Sequence, residues 1–131
     1  MKDNLKKYII FLNEVKIGTT HFELADTPMG VVQGKIFFEN IISPYELFKN
    51  HCQNYKVKIN DYDANLKIID TVIIPELKVI KEDGLKLEGW GGAITGMDNV
   101  EYEIQFYGIS SELMKTEFIH HYIEYYGEDY L

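Results

Sequence analysis

Short runs of β-branched and aromatic residues, each ended by Gly, Pro, Asn or Asp, fill most of the chain between Tyr8 and Tyr107. Such side chains suit a pleated, half-buried surface, and the turn residues hold each run to strand length. Residues 8–12 and 15–24 read as strands around a turn at Asn13-Glu14. Asp26, Pro28 and Gly30 mark a bend within 25–30, after which strand composition resumes over 31–38. Further on, 56–59 alternates polar and apolar, 61–65 (DYDAN) reads as a loop, and 66–74 is a strand that Pro75 ends. Segments 76–81 and 85–90 flank Asp83-Gly84, a strong hairpin signal. The glycines of 89–96 predict a bulged strand or a loop lying against a neighbouring backbone. Val100, Tyr102, Ile104 and Phe106 alternate with Glu101, Glu103, Gln105 and Tyr107, which predicts one buried face and one acidic, solvent-facing one.

Two stretches break this pattern with helical spacing. Ser43 is placed to cap a helix over 44–54, Pro44 sits where a missing N–H costs nothing, and Glu46 completes a capping box. Leu47, Phe48 and Cys52 would face inward, with Ile42 and Leu47 as a hydrophobic staple. Ser110 or Ser111 can cap a second helix over 111–126, where Met114, Phe118, Tyr122 and Tyr125 recur on one side and Gly127 closes it. The fold class is therefore α+β: a largely antiparallel sheet, as a single curved sheet or a two-layer sandwich, with two helices at 44–54 and 111–126. With 46% apolar residues and no linker or internal repeat, the 131 residues read as a single domain spanning 1–131.

Charge narrows the partners. The formal charge is −8, which opposes attraction to nucleic acid or an anionic bilayer and favours a basic protein. Residues 1–60 sum to +2 (eight Lys, six acids) and residues 61–131 to −10 (five Lys, fifteen acids). No Arg is present, so bidentate guanidinium recognition is unavailable. The single Cys52 cannot form an internal disulfide and no glycosylation sequon occurs. The start imitates a signal peptide, but its apolar run of Tyr8–Leu12 is too short for one. A cytoplasmic protein is the expectation.

Motifs of chemistry mostly dissolve under their spacing requirements. Asp61-x-Asp63-x-Asn65 opens like a calcium loop, yet Leu66 and Val72 stand where Gly and Glu are required, so a solvated turn is the better reading. His120 and His121 are adjacent, so on a helix they diverge; one of them would support the negative end of that helix. His51 and Cys52 are likewise neighbours, which favours a buried Cys over a nucleophile with its base. The glycines of 89–96 match neither phosphate-binding spacing, because Ile94 replaces the last Gly of G-x-G-x-x-G. No metal, cofactor or catalytic set is expected, and the chain reads as a non-enzyme.

What remains is a surface. Trp90, Tyr107, Tyr125, Tyr126 and Tyr130 lie near Glu101, Glu103, Glu128 and Asp129 in the sequence, with Asp61, Asp63 and Asp98 as further candidate acids, and aromatics among carboxylates can anchor and steer a basic partner. The competing reading makes the aromatics core and the acids solubilising.

The segments FLNEVKIGTTHFELADTPMGVVQGKIFF (11–38), SPYELFKNHC, IPELKV (74–79), GGAITGMD (91–98), YEIQFYGI (102–109) and EFIHHYIEYY (117–126) resemble a family of small bacterial immunity proteins, the antidotes of contact-dependent growth-inhibition and related polymorphic toxin systems. The resemblance is one of overall pattern. It implies a cytoplasmic inhibitor that binds the C-terminal domain of a cognate toxin, frequently a nuclease, with no nucleic acid or membrane as partner. The partner-binding surface would then be formed by Asp61, Asp63, Trp90, Asp98, Glu101, Glu103, Tyr107, Tyr125, Tyr126, Glu128 and Asp129. Rival readings are a small-molecule-binding or enzymatic module with a pocket beside 89–96 near Trp90, and a self-associating subunit.

Overall fold

The structure, a computed structural model, describes residues 6–130, apart from the Tyr130 side chain; the Lys-bearing start of the signal-like segment, 1–5, lies outside the described residues. In chain order the elements are β1 (Tyr8–Leu12), β2 (Val15–Thr20), β3 (Leu24–Asp26), β4 (Val31–Lys35), β5 (Phe37–Phe38), α1 (Pro44–Tyr55), β6 (Ile59–Asp63), β7 (Ile68–Thr71), β8 (Leu77–Lys81), β9 (Gly91–Met97), β10 (Glu101–Tyr107), α2 (Ser111–Thr116), α3 (Ile119–Tyr126) and a 3-10 turn at Glu128–Tyr130. The strands form two antiparallel sheets, ordered β5-β2-β1-β8 and β3-β4-β10-β9-β7-β6. The fold is α+β, and the sheet question resolves to two sheets sharing one core. Tyr8, Ile10, Leu12, Leu77 and Val79 enter that core from the smaller sheet, and Val32, Ile69, Ile94, Tyr102, Ile104 and Phe106 from the larger. At Gly92 a Cβ would come within 3.1 Å of the side-chain ends of Leu77 of one sheet and Ile104 of the other, so the two layers meet closely there. Among the described residues no helix is long and apolar enough to cross a membrane.

Several runs that read as single strands are divided, each for a local reason. The run 31–38 contributes β4 to the larger sheet and β5 to the smaller; between them Ile36 buries its side chain and donates its N–H to Tyr102 O at 2.9 Å. The run 15–24 breaks at Phe22, whose backbone is left-handed (φ 49°) while its ring is buried against Tyr8, Phe106 and Phe118. Lys56 is the left-handed C-cap of α1, so the next strand starts at Ile59 and not at Lys56. The expected 61–65 loop is half strand: Asp61–Asp63 belong to β6, and the turn follows, with Asp63 Oδ1 accepting from the amides of Asn65 and Leu66. Of 66–74 only Ile68–Thr71 is strand. The Asp83-Gly84 turn forms, but 85–90 makes no continuous strand, touching β8 through the Ile80 and Lys86 bridge and Leu87 N–H to Val79 O at 2.9 Å. The glycine-rich segment becomes the regular strand β9. Val100 lies in the β9–β10 turn and is exposed, whereas Tyr102, Ile104 and Phe106 are buried as expected.

Helix α1 is capped more elaborately than its sequence predicts. Ser43 Oγ accepts from Glu46 N–H at 3.2 Å and donates to Asp98 Oδ2 at 2.5 Å. Asp98 Oδ1 accepts from Tyr45 N–H at 2.9 Å and from the Tyr102 hydroxyl at 2.8 Å. Burial alone would raise the Asp98 carboxyl, but the bonds from Ser43, Tyr45 and Tyr102, with the Lys67 charge, bring it below the usual carboxylate range. Asp98 is therefore an internal clamp, not the exposed partner-binding residue its sequence neighbourhood suggests. The staple does not form, since Ile42 is fully exposed, and the Glu46 carboxylate pairs with Lys67 Nζ at 3.0 Å rather than completing a capping box.

The expected helix over 111–126 is two helices. Phe118 departs from helical geometry (φ −114°, ψ 41°), and the Glu117 carbonyl accepts from Lys6 Nζ at 2.6 Å. The buried Glu117 carboxylate accepts from the Tyr8 hydroxyl at 2.5 Å and from Lys81 Nζ at 3.1 Å, so the break fastens the helical layer to β1 and β8. Burial, then the bond to Glu117, pushes the Tyr8 hydroxyl far up, and the same carboxylate raises Lys81. Met114, Phe118 and Tyr122 are buried as the spacing predicts; Tyr125, one turn beyond Tyr122 in α3, is exposed.

Replacing the Asp98 carboxylate strands several partners together, so Asp98→Ala is expected to lower unfolding free energy by about 2 to 4 kcal/mol in urea titrations. Two tyrosines should respond oppositely. Tyr8→Phe deprives a buried carboxylate of a donor and costs about 1 to 3 kcal/mol, whereas the Tyr45 hydroxyl is buried without a partner among the described residues, so Tyr45→Phe gains about 1 kcal/mol.

Candidate functional site

Strand register determines which side chains share the outer face of the six-stranded sheet. One row runs Lys35–Glu103–Thr95–Asp70–Asp61 across β4, β10, β9, β7 and β6. The next runs Glu101–Met97–Ile68–Asp63, and another Leu24–Gln33–Gln105–Ala93. The helices pack on the core side, α1 through Phe48 against Phe38 and Tyr102, and the α2–α3 pair through Phe118 at its junction against Tyr8 and Phe22. The outer face thus carries Asp61, Asp63, Asp70, Glu101 and Glu103 with Lys35 at its margin. The structure brings Asp61 and Asp63 onto one face with Glu101 and Glu103, some forty residues later in the sequence.

Asp61 owes its place to a β-bulge. The register shifts between Ile59 and Asp61, so Ile59 and Tyr62 share the core side, opposite Thr71 and Ile69, while Asp61 and Asp63 point outward. Asp61 then lies directly across from Asp70, a like-charged pair that weakens a ladder. Glu103 is half-buried and accepts from Gln105 Nε2 at 2.7 Å, which leaves Glu101 the freer carboxylate of β10.

Trp90 stands at the end of this face, 76% exposed, with its N–H donating to Tyr107 O at 2.8 Å. Its indole lies on Gly108, whose φ is +78° and whose Cβ, if present, would enter the ring. Three hollows meet at this indole. One of about 390 Å³ lies on the open face between Trp90, Tyr107, Ala93 and Val72. The second, about 230 Å³, is walled by Pro28, Met29, Tyr122 and Tyr126, and the third, about 140 Å³, by Pro75, Lys86 and Phe106. Tyr126 is half-buried against Tyr122 (ring centroids 4.7 Å apart), and Tyr125 is exposed beside it. Glu128 and Asp129 are exposed in the terminal turn; with Tyr125 they lie on the α3 side and away from the sheet rows. The Tyr130 side chain lies outside the described residues.

The other candidate groups have structural partners. His51 Nε2 donates to Glu76 Oε1 at 2.7 Å and its ring stacks on Tyr55. Burial, aided by the Glu76 charge, pushes the Cys52 thiol up to about 11, so it is protonated at neutral pH. The histidine pair stands at the start of α3, not at its negative end, because the helix restarts at Ile119. Their rings also do not diverge: the centroids are 4.0 Å apart, with His121 Nε2 donating to Phe22 O at 2.8 Å. Burial, then the His121 and Lys6 charges, lowers the His120 pKa.

Sequence reasoning missed Asp70, which sits inside an apolar run, and the Glu117 cluster, whose members Lys6, Tyr8, Lys81 and Glu117 are brought together only by the fold. Compared with protein-family models, curated proteins and solved structures, the chain matches none.

Because His120 is held neutral in the fold, its contribution is full above its ordinary value of about 6.5 and is lost as pH falls toward the lowered folded value. His120→Asn should flatten that loss in denaturant titrations between pH 5 and 8 (roughly the His range). Gly108→Ala should displace the indole, and a shorter fluorescence anisotropy decay for Trp90, the single Trp of the chain, is the expected reading.

Proposed function

We propose that this chain is an immunity-type inhibitor: it binds the toxic domain of a cognate effector, a basic protein and by that charge a nuclease, and covers its catalytic cleft. The observation that carries this reading is the open outer face of the six-stranded sheet, where Asp61, Asp63, Asp70, Glu101 and Glu103 are laid out in register beside Tyr107 and the exposed Trp90. A nuclease surface is basic because it holds phosphate, and carboxylates set out on a rigid sheet can stand in for that backbone. Long-range attraction supplies on-rate, and Trp90, held flat on Gly108, supplies a large contact at little entropic cost. Such an inhibitor acts without catalysis of its own. Of the hollows beside Trp90, those of about 230 and 140 Å³ are smaller than the roughly 300 Å³ at which ligand sites begin, and the one of about 390 Å³ exceeds that size but lies open on the sheet face, where a protein partner can cover it.

The test is capture from the native host with the toxin expressed, at low and high salt. Recovery of one basic protein in a stoichiometric complex supports the reading. Glu101→Lys with Glu103→Lys should then weaken that complex by at least tenfold at low salt and flatten its salt dependence. If no protein is retained at either salt, the inhibitor reading fails.

A further inference from the structure

We infer that strand β6 is a docking edge, on which an extended Lys- or Arg-bearing segment of the partner adds as a further antiparallel or parallel strand. The inference rests on the reading above that the partner is basic, and names how it is held. β6 ends the six-stranded sheet, and from Asn60 to Asp63 it is exposed. An edge strand presents every second N–H and C=O outward without a ladder partner, and an added strand satisfies them. Side chains choose the occupant. Asp61 and Asp63 stand on the outer side at the two-residue spacing of a strand, about 7 Å, with Asp70 behind them in the neighbouring strand. A segment with a cation at alternate positions places each beside one of these carboxylates and relieves the Asp61–Asp70 opposition. On the other side Tyr62 is fixed under Lys49 Nζ, 5.0 Å above its ring, so an intervening apolar residue of the added strand meets an aromatic surface. A second copy of this chain is disfavoured as occupant, since pairing β6 with β6 sets aspartates against aspartates.

The opposite edges do not offer this. β3 at the far side has three residues, β5 has two, and β8 is partly covered by the bridge from Ile80 to Lys86. Among the edges of the two sheets, β6 alone joins length, exposure and charge of one sign.

The full chain, isotopically labelled, would be titrated at low salt with a capped heptapeptide alternating Lys and Val, and with its Glu–Val counterpart. The expected result is saturable amide shifts and at least fivefold slower amide exchange at residues 59–63 with the Lys peptide alone, and at least tenfold weaker binding by Asp61→Lys, whose side chain is exposed and leaves the Asp63 turn intact. No response up to millimolar peptide, a response confined to β9 and β10, equal binding of the Glu peptide, or undiminished binding by the variant would each overturn the docking edge. Capture of a basic partner sensitive to Glu101→Lys and Glu103→Lys, with exchange at 59–63 unchanged in the complex, would overturn the edge and leave the inhibitor reading standing. Edge addition of the Lys peptide with no basic protein captured from the host would support the edge and remove the inhibitor reading.

Discussion

The carboxylate of Asp98 joins two stretches of chain that are far apart in sequence: the start of α1 and the β9–β10 hairpin, in which Asp98 sits in the turn and Tyr102 reaches into the core. Its position at the N-terminus of a twelve-residue helix sets a negative charge against the positive end of the helix dipole. By fastening α1 to the end of the sheet pair, this clamp decides which surface stays bare. With α1 docked over Phe38 and Tyr102, and α2–α3 docked over Tyr8 and Phe22, both helices are spent on closing the core. The outer face of the larger sheet is left without a helix above it.

The negative charge of the second half divides into two populations. Asp98, Glu117 and Glu76 are occupied with internal partners, and they hold α1 and the α2–α3 break against the sheets. The others face outward: Asp61, Asp63, Asp70, Glu101 and Glu103 are aligned by register on one sheet face, while Glu82, Asp83, Glu88, Glu112, Glu124, Glu128 and Asp129 are exposed in other parts of the chain. Net charge alone therefore overstates the charge that a partner meets. What gives the outward set its character is alignment on one rigid sheet, which costs no ordering when a partner arrives.

Much of this was legible in the residues. The Ser43 cap, the alternation from Glu101 to Tyr107 and the Asp83-Gly84 turn are local signals, and each is present in the fold. The failures have a common cause in tertiary demands. Phe22 and Ile36 look like strand interior because their side chains are buried, but the chain changes direction or sheet at each of them. The bulge at Asn60 hides a strand inside DYDAN, since it shifts the period by one residue. Glu117 sits on the helical spacing, and no local rule tells that its carbonyl is held by Lys6. Of the candidate surface, the register brought Asp61, Asp63, Glu101, Glu103 and Tyr107 onto one face with Trp90 at its end; Asp98 turned inward, and Tyr125, Glu128 and Asp129 lie elsewhere.

The passage of the chain from one sheet to the other at Ile36 bears on how the molecule is made. β1 finds its neighbour β8, and β4 its neighbour β10, only after most of the chain has been synthesised. Neither layer is complete within the first sixty residues, so the positively charged half leaves the ribosome with both of its sheets open. Closure of such sequence-distant pairs is slow compared with local pairing, so the hairpins β1–β2 and β3–β4 can form before either sheet is completed.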